Sequence, residues 1–210
     1  MGTILYISCS PKNAASVSDT FGREVLARLR QHNPSATVEH RDLAAAPPSF
    51  VDAAFCAAIM GQGTTDAFGV SEMLIEELDR ADAVVIATPM HNYTVPAVLK
   101  AWIDQIVRIH RTFASTPSGK VGKMRDRPVY LVVASGGWFT SPSPIGTPAQ
   151  PDFLTPYLRA VLNTIGLTDL HVLALEGVTR GPDMLDRAVT LGRQELDRIL
   201  PVARDEEQQT

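Results

Sequence analysis

Short apolar runs alternate along this chain with stretches in which apolar residues recur at helical spacing. The runs Thr3–Ser8, Thr37–Asp42, Ala83–Thr88, Pro128–Ala134 and Asp169–Leu175 predict five strands. Around Leu5, Val85 and Val132 the runs are apolar on both faces, as central parallel strands covered by helices on each side must be. Thr37–Asp42 alternates instead, which places it at an edge. Helices are predicted over Ser18–Arg30, Ser71–Arg80, Val95–Arg108, Phe153–Ile165 and Pro182–Leu200. In the first, Phe21, Val25, Leu26 and Leu29 share a stripe, and in the last Pro182 and Asp183 supply a helix start. Regular alternation of strand and helix argues for a doubly wound α/β fold, a five-stranded parallel sheet with helices on both faces. Two irregular stretches, Ala44–Gly69 and Trp138–Asp152, interrupt the rhythm with clustered Pro, Gly, Ser and Thr. The second follows the carboxyl end of a strand, where open α/β sheets bind ligands.

With 210 residues, 45% hydrophobic and 20% charged, the chain is expected to fold as one domain over residues 1–203, leaving Arg204–Thr210 as a polar tail. A net charge of -4 with scattered basic residues argues against nucleic acid as a partner. Cys9 and Cys56 form neither a CxxC pair nor a cluster with histidines, so no metal site is expected and both read as reduced, small core residues. The first residues show no charged leader or cleavage site, and no run approaches the ~18 apolar residues of a membrane span. A cytoplasmic protein without membrane attachment is the expectation.

Candidate chemistry sits in the turns after three strands. After the first, Ser10, Ser16 and Ser18 flank the start of a helix, whose free N–H groups and dipole suit a phosphate dianion. The loop lacks GxxxxGK[ST] and GxGxxG, so a monophosphate fits better than a triphosphate or dinucleotide, and the plainer reading is that Ser16 or Ser18 caps the helix. After the third strand, Pro89 and Pro96 stiffen a loop carrying Met90, His91, Asn92 and Tyr93, with an amide and an aromatic side chain to face a ligand or simply to make the turn. After the fourth, Ala134-Ser135-Gly136-Gly137 lets backbone approach a flat ring, or makes an ordinary turn. All three should meet at one rim of the sheet, and a phosphate seat beside two ring-edge loops describes a mononucleotide site.

Ser10 with Ser16-Val17-Ser18, the Pro89–Asp104 stretch PMHNYTVPAVLKAWID, Thr112-Phe113 and Ala134–Gly137 together resemble the FMN-dependent NADH azoreductases and their quinone reductase relatives, on a flavodoxin-like fold. The resemblance spans roughly residues 1–200 and implies the strand order 2-1-3-4-5. It assigns the flavin phosphate to Ser10 and Ser16–Ser18, including Val17, and the ring to Met90–Tyr93 and Ala134–Gly137, with His91 and Tyr93 as pocket residues and no catalytic nucleophile. Family members commonly carry Tyr or Trp at His91, Phe at Tyr93 and SRGG in place of Ala134–Gly137; the segment after Phe113 is shorter, with Ser115 at an aromatic position. The resemblance implies a ping-pong cycle in which NADH or NADPH gives hydride to FMN and leaves before a quinone or aromatic azo compound enters. A flavodoxin-like electron carrier and a non-catalytic α/β binding domain are the rival readings.

A homodimer with a shared site is also expected. Phe50, Phe55, Ile59, Met60, Trp138, Phe139, Ile145 and Phe153 fall in segments that do not read as core, and Val98, Leu99, Trp102, Ile103 and Ile106 look surplus to one sheet contact. The resemblance implies the same assembly, and a lid closing within one monomer is the competing reading.

Overall fold

The computed structural model describes residues 2–12 and 15–203; Asn13 and Ala14 of the first loop and the expected tail 204–210 lie outside the described residues. In chain order the elements are β1 (Thr3–Ser8), α1 (Val17–His32), β2 (Thr37–Asp42), α2 (Ala53–Ile59), α3 (Gly69–Arg80), β3 (Ala83–Pro89), α4 (Ala97–Ile106), β4 (Phe113–Thr116), β5 (Gly119–Gly122), β6 (Val129–Ser135), α5 (Thr155–Ile165), β7 (Leu170–Glu176) and α6 (Pro182–Ile199). The five long strands form one sheet in the order β2-β1-β3-β6-β7, every neighbouring pair parallel. Counting only those strands, this is the expected order 2-1-3-4-5, with the alternating strand at an edge.

The two-residue period of the strands divides the core into two layers. Leu5, Ile7, Val84, Ile86, Val129, Leu131 and Val133 face α3, α4 and α5. Ile4, Tyr6, Val85, Ala87, Tyr130, Val132 and Ala134 face α1 and α6, against Phe21, Val25, Ala188 and Leu196. Each central strand is therefore apolar throughout because each face has its own helical cover.

Several expectations change. The segment after Phe113 forms the antiparallel hairpin β4–β5, which stands apart from the main sheet and is tied back by Lys123 N–H to the Thr112 carbonyl and Met124 N–H to the Ile165 carbonyl, both at 2.9 Å. Within Ala44–Gly69, Asp52 caps a short helix, its Oδ1 accepting from Phe55 N–H at 2.8 Å. That helix turns Phe55 inward onto Phe68, edge to face at 5.2 Å, and leaves the adjacent Cys56 facing outward. Cys56 is thus exposed rather than core, while Cys9 is buried.

The apolar surplus is smaller than the pattern suggests. Leu99, Trp102, Ile103 and Ile106 are fully buried within the chain, because α4 packs beside α3 in the larger core layer. Trp138 and Phe139 are buried as well. Glu176, at the end of β7, accepts from the N–H groups of Phe139 and Thr140 and from the Thr140 hydroxyl, folding the chain back over the sheet end. Gly177 then receives the indole: a Cβ there would lie 2.6 Å from Trp138 Cζ2. Phe50, Met60, Ile145 and Phe153 remain exposed, each by more than 60%.

Candidate functional site

The carboxyl ends of β1, β3 and β6 come together around a cavity of about 180 Å³. Its walls are Ser10–Lys12 and Ala15–Ser18 from the first loop, Pro89, Met90 and His91 from the second, Ala134 and Gly136 from the third, and Val178 and Thr179 after β7. Sequence reasoning brought eight of its site residues to this wall: Ser10, Ser16, Val17, Ser18, Met90, His91, Ala134 and Gly136. It missed Lys12 and Thr179. Lys12 was legible as the one cation in the first loop, whereas Thr179 follows an edge strand and carries no local signal.

The first loop is built on the start of α1. Ser16 is the helix N-cap, its Oγ accepting from Asp19 N–H at 3.2 Å and lying 3.2 Å from Ser18 Oγ, so the capping role is real. Ser10, Ser16 and Ser18 are all nearly buried, which concentrates hydroxyls at a helix N-terminus where the dipole is positive. Asp19 in that first turn would oppose an anion, but its carboxylate is occupied by Tyr6 Oη at 2.6 Å and Arg23 Nε at 3.0 Å. Burial pushes the Tyr6 phenol well above its usual range, so it stays a neutral donor to Asp19. Burial likewise pushes up the pKa of Cys9, between Ser8 and Ser10; it is held as a thiol and supplies no nucleophile.

The second loop is a tight tip. His91 and Thr94 exchange backbone hydrogen bonds at 2.9 Å, and between them Asn92 (φ 48°) and Tyr93 (φ 69°) occupy the left-handed region. An aromatic residue rarely adopts that conformation, and such strain concentrates where a loop is shaped for a ligand. Tyr93 is 47% exposed, and its carbonyl accepts from Phe153 N–H at 2.9 Å, which joins this tip to the end of the Trp138–Asp152 segment. Met90 N–H donates to the Ala134 carbonyl at 2.8 Å, so the second and third loops leave the sheet together.

Four predicted residues stand apart from the cavity wall. Asn92 and Tyr93 are at the exposed tip, and Ser135 is buried beneath it with its Oγ accepting from Gly137 N–H at 3.2 Å and from Gln150 Nε2 at 3.0 Å. Gly137 is covered by the Gln150 amide. Gln150 lies in an irregular segment, where spacing gives no clue to what a side chain will meet. Among the described residues no group of three or more His, Cys, Asp or Glu is arranged to hold a metal, and no helix is long and apolar enough to cross a membrane.

A family model for the flavodoxin-like fold matches residues 2–200. An FMN-dependent NADH:quinone oxidoreductase of Pseudomonas fluorescens is 44% identical over 198 residues, 93% of this chain and 94% of the relative. One from Cupriavidus pinatubonensis is 45% identical over 193 residues, 89% of this chain and 92% of its own. The chain belongs to this family. In three dimensions it superposes on an azoreductase from Bacillus anthracis with a TM-score of 0.80 at 25% identity, covering 96% of this chain and 99% of that one.

The family's cofactor can be tested against the residues present. Three buried hydroxyls at a helix N-terminus, with Lys12 at the mouth, form a donor set for a terminal phosphate. Along the opposite wall, a Cβ on Gly136 would lie 2.7 Å from Thr179 Oγ1, so the absent side chain lets Thr179 close onto the Gly136 backbone. Donors for a dianion at one end and the strand-end loops of Met90 and Ala134–Gly136 at the other fit a flavin mononucleotide.

Proposed function

We propose that this protein is an FMN-dependent NADH:quinone oxidoreductase that also reduces aromatic azo compounds. The observation that carries the reading is the single cavity in which the hydroxyl-lined start of α1 meets the strand-end loops of β3 and β6. Ser10, Ser16, Val17 and Ser18 would hold the FMN phosphate, and Met90–Tyr93 with Ala134–Gly137 the ring. FMN bound there would supply the redox chemistry between NADH or NADPH and the second substrate. The chain would orient the ring against the strand ends, while His91 lines the cavity as an exposed residue.

The same reading includes a cytoplasmic homodimer whose partner completes the site. Tyr93 and Phe153, both largely exposed and joined by a backbone hydrogen bond, put aromatic surface at the ligand rim, and Phe50 and Met60 add further uncovered area. Purified protein loaded with FMN is expected to oxidise NADH when a benzoquinone is present and to bleach an azo dye, with parallel double-reciprocal lines. Loss of specific activity on dilution should accompany dissociation in the ultracentrifuge. FMN-loaded protein that transfers no electrons from either nicotinamide to a quinone would refute the enzymatic reading.

A further inference from the structure

Gln150 comes from the irregular segment between β6 and α5, yet its amide joins the two loops expected to meet the flavin ring. Its Nε2 donates to Ser135 Oγ at 3.0 Å and to Met90 Sδ at 3.1 Å. Its backbone N–H donates to the Trp138 carbonyl at 2.7 Å, which fixes where the side chain starts. The amide then fills the space where Gly137 lacks a side chain: a Cβ on Gly137 would lie 2.2 Å from Oε1 and 2.8 Å from Cδ. Gly137 is not in the left-handed region, so its backbone would accept alanine. The absent side chain is therefore explained by Gln150.

We propose that Gln150 is a positioning residue for the flavin ring, latching the cavity-lining Met90 loop to the Ser135–Gly137 loop from behind. The proposal rests on the reading of this rim as an FMN site. Both Nε2 hydrogens are used within the chain, which leaves Oε1 oriented beside the glycine backbone.

The test titrates FMN and riboflavin into apoprotein of the wild type, Gln150→Met and Gln150→Glu by flavin fluorescence, and measures the midpoint potential of the bound flavin. The near-isosteric Gln150→Met should weaken both flavins by the same factor, about five- to tenfold. Gln150→Glu should lower the potential, because a negative charge beside the ring opposes electron uptake. Gly137→Ala should weaken binding alone but add little to Gln150→Ala, since both act through one contact. Unchanged affinities and potentials in the variants, a loss confined to FMN, or additive effects of Gly137→Ala and Gln150→Ala would overturn the inference. A wild type that binds neither flavin would overturn the FMN reading and this inference with it.

Discussion

The two ends of the same parallel sheet use polar groups in opposite ways. At the end where strands enter, charged side chains tie strand starts and helix ends to one another, with only Arg127 Nη2 left buried without a partner among them. Asp126, just before β6, accepts from the N–H groups of Arg127 and Thr168 at 2.9 Å and from the Thr168 hydroxyl. Arg127 is buried and donates to the carbonyls of Leu78, Asp79 and Ala81, closing the end of α3. Asp82 accepts from Thr3 N–H at 2.9 Å and pairs with Arg125 at 2.8 Å. At the end where strands leave, hydroxyls gather at a helix start, two residues without the freedom of glycine hold left-handed backbone, and a cavity opens. One pole fixes the order of the strands; the other keeps donors and strained backbone for a ligand. Parallel strands make this division natural, because every crossover puts its strand-exit loop on the same side.

If the division holds, substitutions at one pole should change flavin binding without stability, and at the other stability without flavin binding. The largest effect is expected from Ser16→Asp. Aspartate caps a helix as well as serine does, so the apoprotein should melt close to the wild type. A carboxylate beside the phosphate should cost on the order of a hundredfold or more in FMN affinity, read by fluorescence titration. Unaltered FMN affinity in a folded variant would move the phosphate seat elsewhere.

Arg127→Met should show the reverse. The carbonyls of Leu78, Asp79 and Ala81 lose their donor in a buried place, and chemical denaturation should report a loss of about 2–3 kcal/mol. FMN affinity measured well below the melting temperature should not change. A flavin defect as large as that of Ser16→Asp would erase the contrast between the poles.

The smallest effect is expected from Asp126→Asn, and it carries a pH signature. The Thr168 hydroxyl, then backbone N–H groups, hold the Asp126 carboxyl below the usual aspartate range. A depressed folded pKa contributes stability that is present above the unfolded pKa and lost as pH falls through the folded one. The gap between wild type and Asp126→Asn should therefore be present at neutral pH and close as the medium is acidified below the ordinary carboxylate range. Exposure of Asp126 keeps the gap smaller than that of Arg127→Met. A gap that widens on acidification would contradict the assignment.

The contrast also explains what the sequence could tell. Strands and helices of the main sheet were legible because Leu5, Val85 and Val132 lie in runs apolar on both faces and α1 and α6 keep a clear stripe. The three loops of the site were legible because topology alone sends the ends of β1, β3 and β6 to one rim. The fates of Trp138, Phe139 and Phe55 were not, since their burial depends on Glu176, Gly177 and Phe68, which are distant in sequence or hidden in irregular chain. The hairpin after Phe113 was signalled only by Pro117-Ser118-Gly119 between two short strands, too little to separate it from a loop. Gln150 and Thr179 reach the site through tertiary contacts that no spacing rule encodes.

The strand-exit rim should recognise a flavin by its terminal phosphate. Titration of the apoprotein with FMN and with riboflavin, which differ only in that group, tests it most directly. FMN should bind tighter than riboflavin by about a hundredfold, because a dianion meets several charge-assisted donors at a helix start. Equal affinity for the two flavins would contradict it.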